Sequence, residues 1–242
     1  MAGVYVDDIL LVGNSESLKN EKEKLLNEFE LTVNSELNEY VGCQMKIRSD
    51  SIFIHQSKLI KKIYSEFNED FKSFKCKKTP MTPGQYITSP DDKNEDLCNM
   101  KLHKRYQSGV GSLLYIVMNS RPDLSNCVRE LSKSMKNSSN ENYKSLCRVI
   151  RYLYDTKTLG IELIKINNMD IIDRNLSCYV DSDWAGDPQT RKSISGWVIF
   201  VGKSPIVWGS KQQRIVEVSS SEEEFVSISY VFKDLVFSIK VI

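Results

Sequence analysis

The sequence predicts an α+β, mixed α/β chain, and three observations carry that prediction. Short β-rich runs open the chain, amphipathic helical stretches fill its middle, and beyond Asp155 short apolar runs bounded by Gly, Pro, Asp or Asn return before a last helix. Forty per cent apolar content over 242 residues is enough for one large core or two modest ones, and domain-size statistics favour two.

Val4-Tyr5-Val6, then Asp7-Asp8, then Ile9-Leu10-Leu11-Val12-Gly13 reads as a hairpin with the two aspartates at its tip. Leu18, Leu25, Leu26 and Phe29 recur near helical spacing among Lys and Glu, predicting a short amphipathic helix from Glu16 to Phe29. Strands are expected over Tyr40 to Ile47 and Ser51 to His55 around a Ser49-Asp50 turn, then a helix carrying Ile60, Ile63, Tyr64 and Phe67. Thr79-Pro80-Met81-Thr82-Pro83-Gly84 is the first strong linker signal, and the polar stretch 86–102, with Pro90, Asp91, Asp92, Asn94 and Glu95, predicts a surface loop.

Three helices are expected next. The first spans about Tyr106 to Met118; the second opens at Arg121-Pro122-Asp123, proline standing at the favoured first turn; the third carries Tyr143, Leu146, Ile150 and Leu153. Strands follow at Gly160 to Ile166, Leu176 to Val180, Gly196 to Val201 and Ile206 to Trp208. From Ser221 onward a helix is predicted, with Ser219, Ser220 and Ser221 as candidate N-caps and Glu222 to Glu224 placing negative charge on its positive end. No internal repeat is visible.

Thirty-three basic against 32 acidic residues give a net charge of +1, so no global field marks a nucleic-acid binder or a membrane-surface protein, and such binding would need a local groove. Cysteines 43, 76, 98, 127, 147 and 178 are scattered without a CxxC pair, which predicts reduced thiols in an intracellular protein rather than a zinc or redox site. No apolar run approaches the roughly 18 residues of a spanning helix, and the start lacks a signal-peptide pattern. The expectation is a soluble chain, cytoplasmic or nuclear.

Two acidic groups could carry chemistry. Asp7 and Asp8 lie on a rigid turn between apolar strands, a placement met either by water or by a divalent cation, and two adjacent acids do not usually build a cation site alone. The second group is Tyr179-Val180-Asp181-Ser182-Asp183-Trp184-Ala185-Gly186-Asp187, in which a continuing strand would put Asp181 and Asp183 on one face. Calcium-like loop, solvated turn and catalytic cluster all remain open there. On the last helix, Glu224 shares a stripe with Ile228, Val231 and Leu235, while Glu223 aligns with Ser227, Tyr230 and Asp234, so Glu224 is expected to face the core. A core-facing carboxylate near an acidic strand end points to a functional pair; a Ser221 to Glu224 capping box explains it equally well.

The order and wording of the whole set resembles the reverse transcriptase and ribonuclease H portion of copia-type retrotransposon Pol polyproteins, over nearly all the chain. Tyr5-Val6-Asp7-Asp8 is similar to the polymerase metal-binding turn, and Thr79-Pro80-Met81 to the passage out of that domain. Ser108-Gly109-Val110-Gly111-Ser112-Leu113-Leu114-Tyr115, Ser120-Arg121-Pro122-Asp123-Leu124 and Arg148-Val149-Ile150-Arg151-Tyr152-Leu153 resemble its connecting helices. Asp181 to Asp187, Arg191-Lys192-Ser193-Ile194-Ser195-Gly196, Trp208-Gly209-Ser210-Lys211-Gln212-Gln213 and Ser219-Ser220-Ser221-Glu222-Glu223-Glu224-Phe225 resemble its ribonuclease H domain.

The resemblance implies a partial polymerase palm hairpin within residues 1–85, a linker and connecting helices over 86–158, and a ribonuclease H-like mixed sheet with helix over 159–242, incomplete at its end. It makes Asp7 and Asp8 polymerase metal-site carboxylates, and Asp181 and Glu224 the first and second ribonuclease H acids, with Mg²⁺ or Mn²⁺ as cofactor in two-metal phosphoryl transfer. The implied partners are an RNA/DNA hybrid or template-primer and other parts of the Pol polyprotein. Both catalytic sets are short of acids that the family uses, so the expectation is a piece with weak activity or none. The alternative is a non-catalytic or domesticated nucleic-acid-binding module, using Lys144, Arg148 and Arg151 on one helix face with Lys72, Lys75, Lys77 and Lys78, and its competitor is a solvated basic face. Two departures stand out: Asn34 and Ser35 occupy the place of a glycine-containing turn, and Glu223 replaces a usual alanine.

Overall fold

The computed structural model describes residues 2–34, 36–71, 78–90, 96–166 and 175–241. The first hairpin forms as expected: β1 (Ala2–Tyr5) pairs antiparallel with β2 (Asp8–Leu11) in a two-stranded sheet. α1 (Ser15–Glu28) follows, started by the Asn14 side chain, which accepts from the Ser17 backbone N–H at 2.8 Å. None of its residues is buried, so α1 and the hairpin form an open flank.

A four-stranded antiparallel sheet runs in the order β3 (Glu39–Tyr40), β4 (Cys43–Ile47), β5 (Ser51–His55), β6 (Ile161–Ile164). The single strand expected from Tyr40 to Ile47 is broken, because Val41 and Gly42 both take positive φ, 48° and 65°. Tyr40 then pairs with Cys43 around a two-residue turn, the positive-φ geometry that hairpin loops of this length favour. The Tyr115 hydroxyl donates to the Val41 carbonyl and ties this turn to the helices. β6, far downstream in the chain, closes the sheet against β5, with Ile54 opposite Ile161.

The core is helical. α2 (Ser57–Glu66), α3 (Met100–Asn119), α4 (Ser125–Ser132) and α5 (Asn140–Asp155) pack Ile60, Ile63, Tyr106, Val110, Leu113, Ile116, Leu131, Leu146, Ile150 and Leu153 into one cluster. Each such side chain fully removed from water contributes roughly 1.5–3 kcal/mol. α3 begins six residues before its expected start, where Asn99 accepts from the Leu102 N–H. Pro122 opens a short 3-10 turn over Pro122–Leu124 rather than α4 itself. Beside it Arg121, 1% exposed, forms a two-pronged pair with Asp123, both contacts at 2.8 Å, and donates to the Thr156 carbonyl and hydroxyl.

The third sheet is antiparallel in the order β7 (Leu176–Asp183), β8 (Ile194–Val201), β9 (Ser204–Gln212). It lies between α6 (Ser220–Val241) and the helical core: Ser195 and Trp197 of β8 meet Ser227 and Asp234 of α6, while Trp208 of β9 donates to the Val117 carbonyl of α3. Among the described residues the chain is thus α+β, with six α-helices and antiparallel sheets. No helix is long and apolar enough to cross a membrane, among the described residues. The five described cysteines are free thiols.

Candidate functional site

Asp7 stands in the two-residue turn Val6–Asp7, and Asp8 is the first residue of β2, opposite Tyr5. Val6 takes a φ of 51°, an uncommon conformation for a β-branched residue. Both carboxylates are solvent-exposed and line a cleft of about 450 Å³, together with Leu10, Leu25, Leu31 and Tyr40. Their oxygens are the donors that Mg²⁺ or Mn²⁺ prefers.

β7 persists to Asp183, so Asp181 and Asp183 do share a face, and both are exposed. Register decides which face. Ser182 is paired with Ser195, whose hydroxyl meets Ser227 of α6 at 2.7 Å, so Ser182 looks toward α6 and its two neighbours look away. Asp183 lines a second cleft, of about 300 Å³, with Pro80, Arg129, Glu130 and Ile194. Asp187, the third acid of the run, is buried. It accepts from Lys133 at 2.6 Å, from the Gln189 and Thr190 backbone amides and from Gln212. Burial works to raise its carboxyl, but these donors win and hold it down at about 2.

Glu224 is exposed, as is Ile228, which corrects the expectation that Glu224 faces the core. The neighbouring stripe packs instead: Glu223, Ser227 and Ser238 are buried, and of the Glu224 stripe Val231 is buried with them. The reason lies in the part of the sheet face that the start of the helix meets, which offers Ser182, Ser193, Ser195 and Gln213, the apolar Trp197 and Ile199 lying further along it. The helix cap is also displaced from Ser221–Glu224. Ser219 accepts from the Glu222 N–H at 3.2 Å, and the Glu222 carboxylate reaches back to the Val218 N–H at 2.9 Å.

Sequence reasoning missed the cluster that this packing creates. Glu217 and Glu223, each 4% exposed, approach one another across Ser193. The Ser193 hydroxyl donates to Glu217 at 2.8 Å, and the Gln213 side-chain amide contacts Ser195, Ser227 and the Glu223 carbonyl at 3.0 Å. Burial pushes the Glu223 carboxyl up, the Ser193 and Ser182 hydroxyls pull it down, and the Glu217 and Asp183 carboxylates add to the rise. The available signal was the polar stripe Glu223, Ser227, Asp234 itself.

The basic face on α5 is largely engaged inside the protein. Lys144 is exposed, but Arg148 donates to Thr82 at 2.6 Å and Thr79 at 3.1 Å, and Arg151 donates to Asp155 at 3.0 Å and Tyr64 at 2.7 Å. Lys78 is exposed; Lys72, Lys75 and Lys77 lie outside the described residues. Asp7 and Asp8 stand on the β1–β2 hairpin, and Asp181 and Glu224 belong to opposite sides of the β7–β9 sheet. Among the described residues no group of three or more His, Cys, Asp or Glu side chains is placed to hold a metal. The donors fit a hard cation in kind, but the described residues do not by themselves make up the catalytic site that the resemblance implies.

Neither a protein-family model nor a solved structure matches the chain. Curated proteins do. The retrovirus-related Pol polyproteins from transposons RE1 and RE2 of Arabidopsis thaliana are each 33% identical to it, over 235 and 233 residues, 93% and 96% of this chain. That from transposon TNT 1-94 of Nicotiana tabacum is 27% identical over 97% of this chain. The chain spans 15% of the length of the first two and 17% of the third. With matches of this extent joined to the motif order along the chain, the protein belongs to the family of retrovirus-related Pol polyproteins of copia-type transposons.

Proposed function

We propose that this chain is the part of a retrotransposon RNA-directed DNA polymerase and ribonuclease H polyprotein that runs from the polymerase turn at Asp7 and Asp8, through connecting helices, into a ribonuclease H-like unit, and that by itself it has little or no phosphoryl-transfer activity. Residues 1–85, 86–158 and 159–242 correspond to those three parts. The observation carrying the inactivity is the placement of Asp181 and Glu224: the strand's alternation turns Asp181 away from α6, and Glu224 stands on the outer side of that helix. Two carboxylates so placed cannot grip one phosphodiester-bound cation between them.

In this reading the substrate class is an RNA/DNA hybrid or template-primer, met through phosphates and 2′-hydroxyls, and the remaining Pol polyprotein supplies the acids that complete each set. The test is cleavage of an RNA/DNA hybrid in Mg²⁺ or Mn²⁺, beside primer extension. The expected result is no cleavage above that of Asp181→Asn. Robust cleavage abolished by Asp181→Asn would refute the claim of inactivity.

A further inference from the structure

We propose that Glu217 and Glu223, with the Ser182 hydroxyl and the Gln213 carbonyl oxygen, hold a hard divalent cation between the β7–β8 ladder and the first turn of α6. Both carboxylates are 4% exposed, and among the described residues neither enters an ion pair with Lys, Arg or His. Each has one oxygen met by no donor: Glu217 Oε1 and Glu223 Oε2 are buried without a hydrogen-bond partner. Two further buried oxygens in the same cluster, Ser182 Oγ and Gln213 Oε1, also make no hydrogen bond of full geometry, though the Ser182 hydroxyl lies close enough to the Glu223 carboxylate to favour its charged form; Gln213 is itself 1% exposed.

Buried carboxylates without a counter-charge are costly, and the usual remedies are a paired cation or protonation. A single proton would serve one oxygen and cancel one charge. A divalent cation meets both charges and offers a partner to every unmatched oxygen. All four donors are oxygens, with no imidazole or thiol among them, which selects the magnesium, manganese and calcium class over zinc or copper. The site is independent of the proposed nuclease function: none of its residues is among Asp7, Asp8, Asp181 and Glu224.

The experiment is a Mn²⁺ titration of the whole chain, free Mn²⁺ being read by electron paramagnetic resonance, in an Asp7→Asn, Asp8→Asn, Asp181→Asn, Glu224→Gln background that removes the resemblance-implied ligands. One Mn²⁺ per chain should remain in that background, be displaced by Ca²⁺, and raise the unfolding temperature. Glu223→Ala should abolish both the binding and the temperature rise. Glu223→Gln keeps the volume of the side chain and one acceptor oxygen while removing the charge, so it should fold with unchanged circular dichroism and still lose Mn²⁺. Unaltered binding in Glu223→Gln would overturn the proposal. So would no Mn²⁺ uptake in the background together with a higher unfolding temperature for Glu223→Gln, the outcome of a pair that shares a proton.

Discussion

Gly109 and Gly111 lie two residues apart in α3 and look in opposite directions, which makes them a matched pair for measuring how tightly the helical core is closed. Alanine is favoured over glycine in a helix interior by about 1 kcal/mol, and that gain applies to both positions. At Gly111, exposed, an added Cβ meets nothing within 4 Å, so Gly111→Ala should stabilise by about that amount. At Gly109 the same atom would come within 2.8 Å of Leu146 Cδ2 and 2.9 Å of Phe67 Cζ. Both neighbours are buried and belong to α5 and the end of α2, so neither can swing into solvent. Overpacking of this kind costs roughly 1–3 kcal/mol. Subtracting the shared propensity gain, Gly109→Ala should be about 1 kcal/mol less stable than the parent and about 2 kcal/mol less stable than Gly111→Ala. Urea unfolding followed by far-ultraviolet circular dichroism, analysed with a common m value, reads the difference directly. Equal stabilisation by the two substitutions would refute the reasoning, because it would mean that α3 and α5 do not approach as closely as Leu146 and Gly109 indicate.

Two further outcomes follow from the buried charges. Arg121→Ala leaves Asp123, 39% exposed, to water but strips the donors from two groups of Thr156, and should cost roughly 1–3 kcal/mol in the same unfolding measurement; no measurable loss would show that the Thr156 contacts contribute nothing. Asp187 titrates near 2 when folded and at 3.8 in an unfolded chain, so its contribution is fully present above pH 4 and fades as the pH falls through 2. Asp187→Asn should therefore cost roughly 2 kcal/mol at pH 7, with the gap to the parent closing between pH 4 and pH 2; a gap that stays constant across that range would sink the assignment to Lys133 and the Gln189 and Thr190 amides.

The parts of this fold that sequence periodicity could reach are those governed by one local rule. Leu146, Ile150 and Leu153 recur at helical spacing and are all buried on one side of α5, and the β runs after Asp155 all became strands. What it could not reach depends on partners distant in the chain. Val41 breaks an otherwise continuous β pattern because the Tyr40–Cys43 pairing demands a two-residue turn there. β6 reads as the opening strand of the third segment, yet its hydrogen-bond partner is β5. At the candidate site, the sharing of one face by Asp181 and Asp183 was legible, since it needs only the strand period. The structural use of Asp187 was not, because its Lys133 partner lies 54 residues away and only the folded chain brings α4 against β9.

The orientation of α6 shows why a carboxylate pair can be present in sequence order and absent in space. Hydrophobic periodicity expects the apolar stripe of a helix to turn inward, yet Phe225, Ile228 and Phe232 stay outside, at 75%, 53% and 60% exposure, while Glu223 and Ser227 turn in. Beneath the start of the helix the sheet presents hydroxyls and an amide, and a polar helix stripe satisfies them where phenylalanine would leave them unmatched. Turning the helix by one residue, about 100°, would bring Glu224 down in place of Glu223. It would still not reach Asp181, because the pleat sends that side chain through to the other face of the sheet. β7 is an edge strand among the described strands of its sheet, so a cation touching both acids would have to reach around that edge rather than through the α6 interface. Joint use of Asp181 and Glu224 therefore requires a rearrangement at the free side of β7, and a change in the packing of α6 alone cannot supply it.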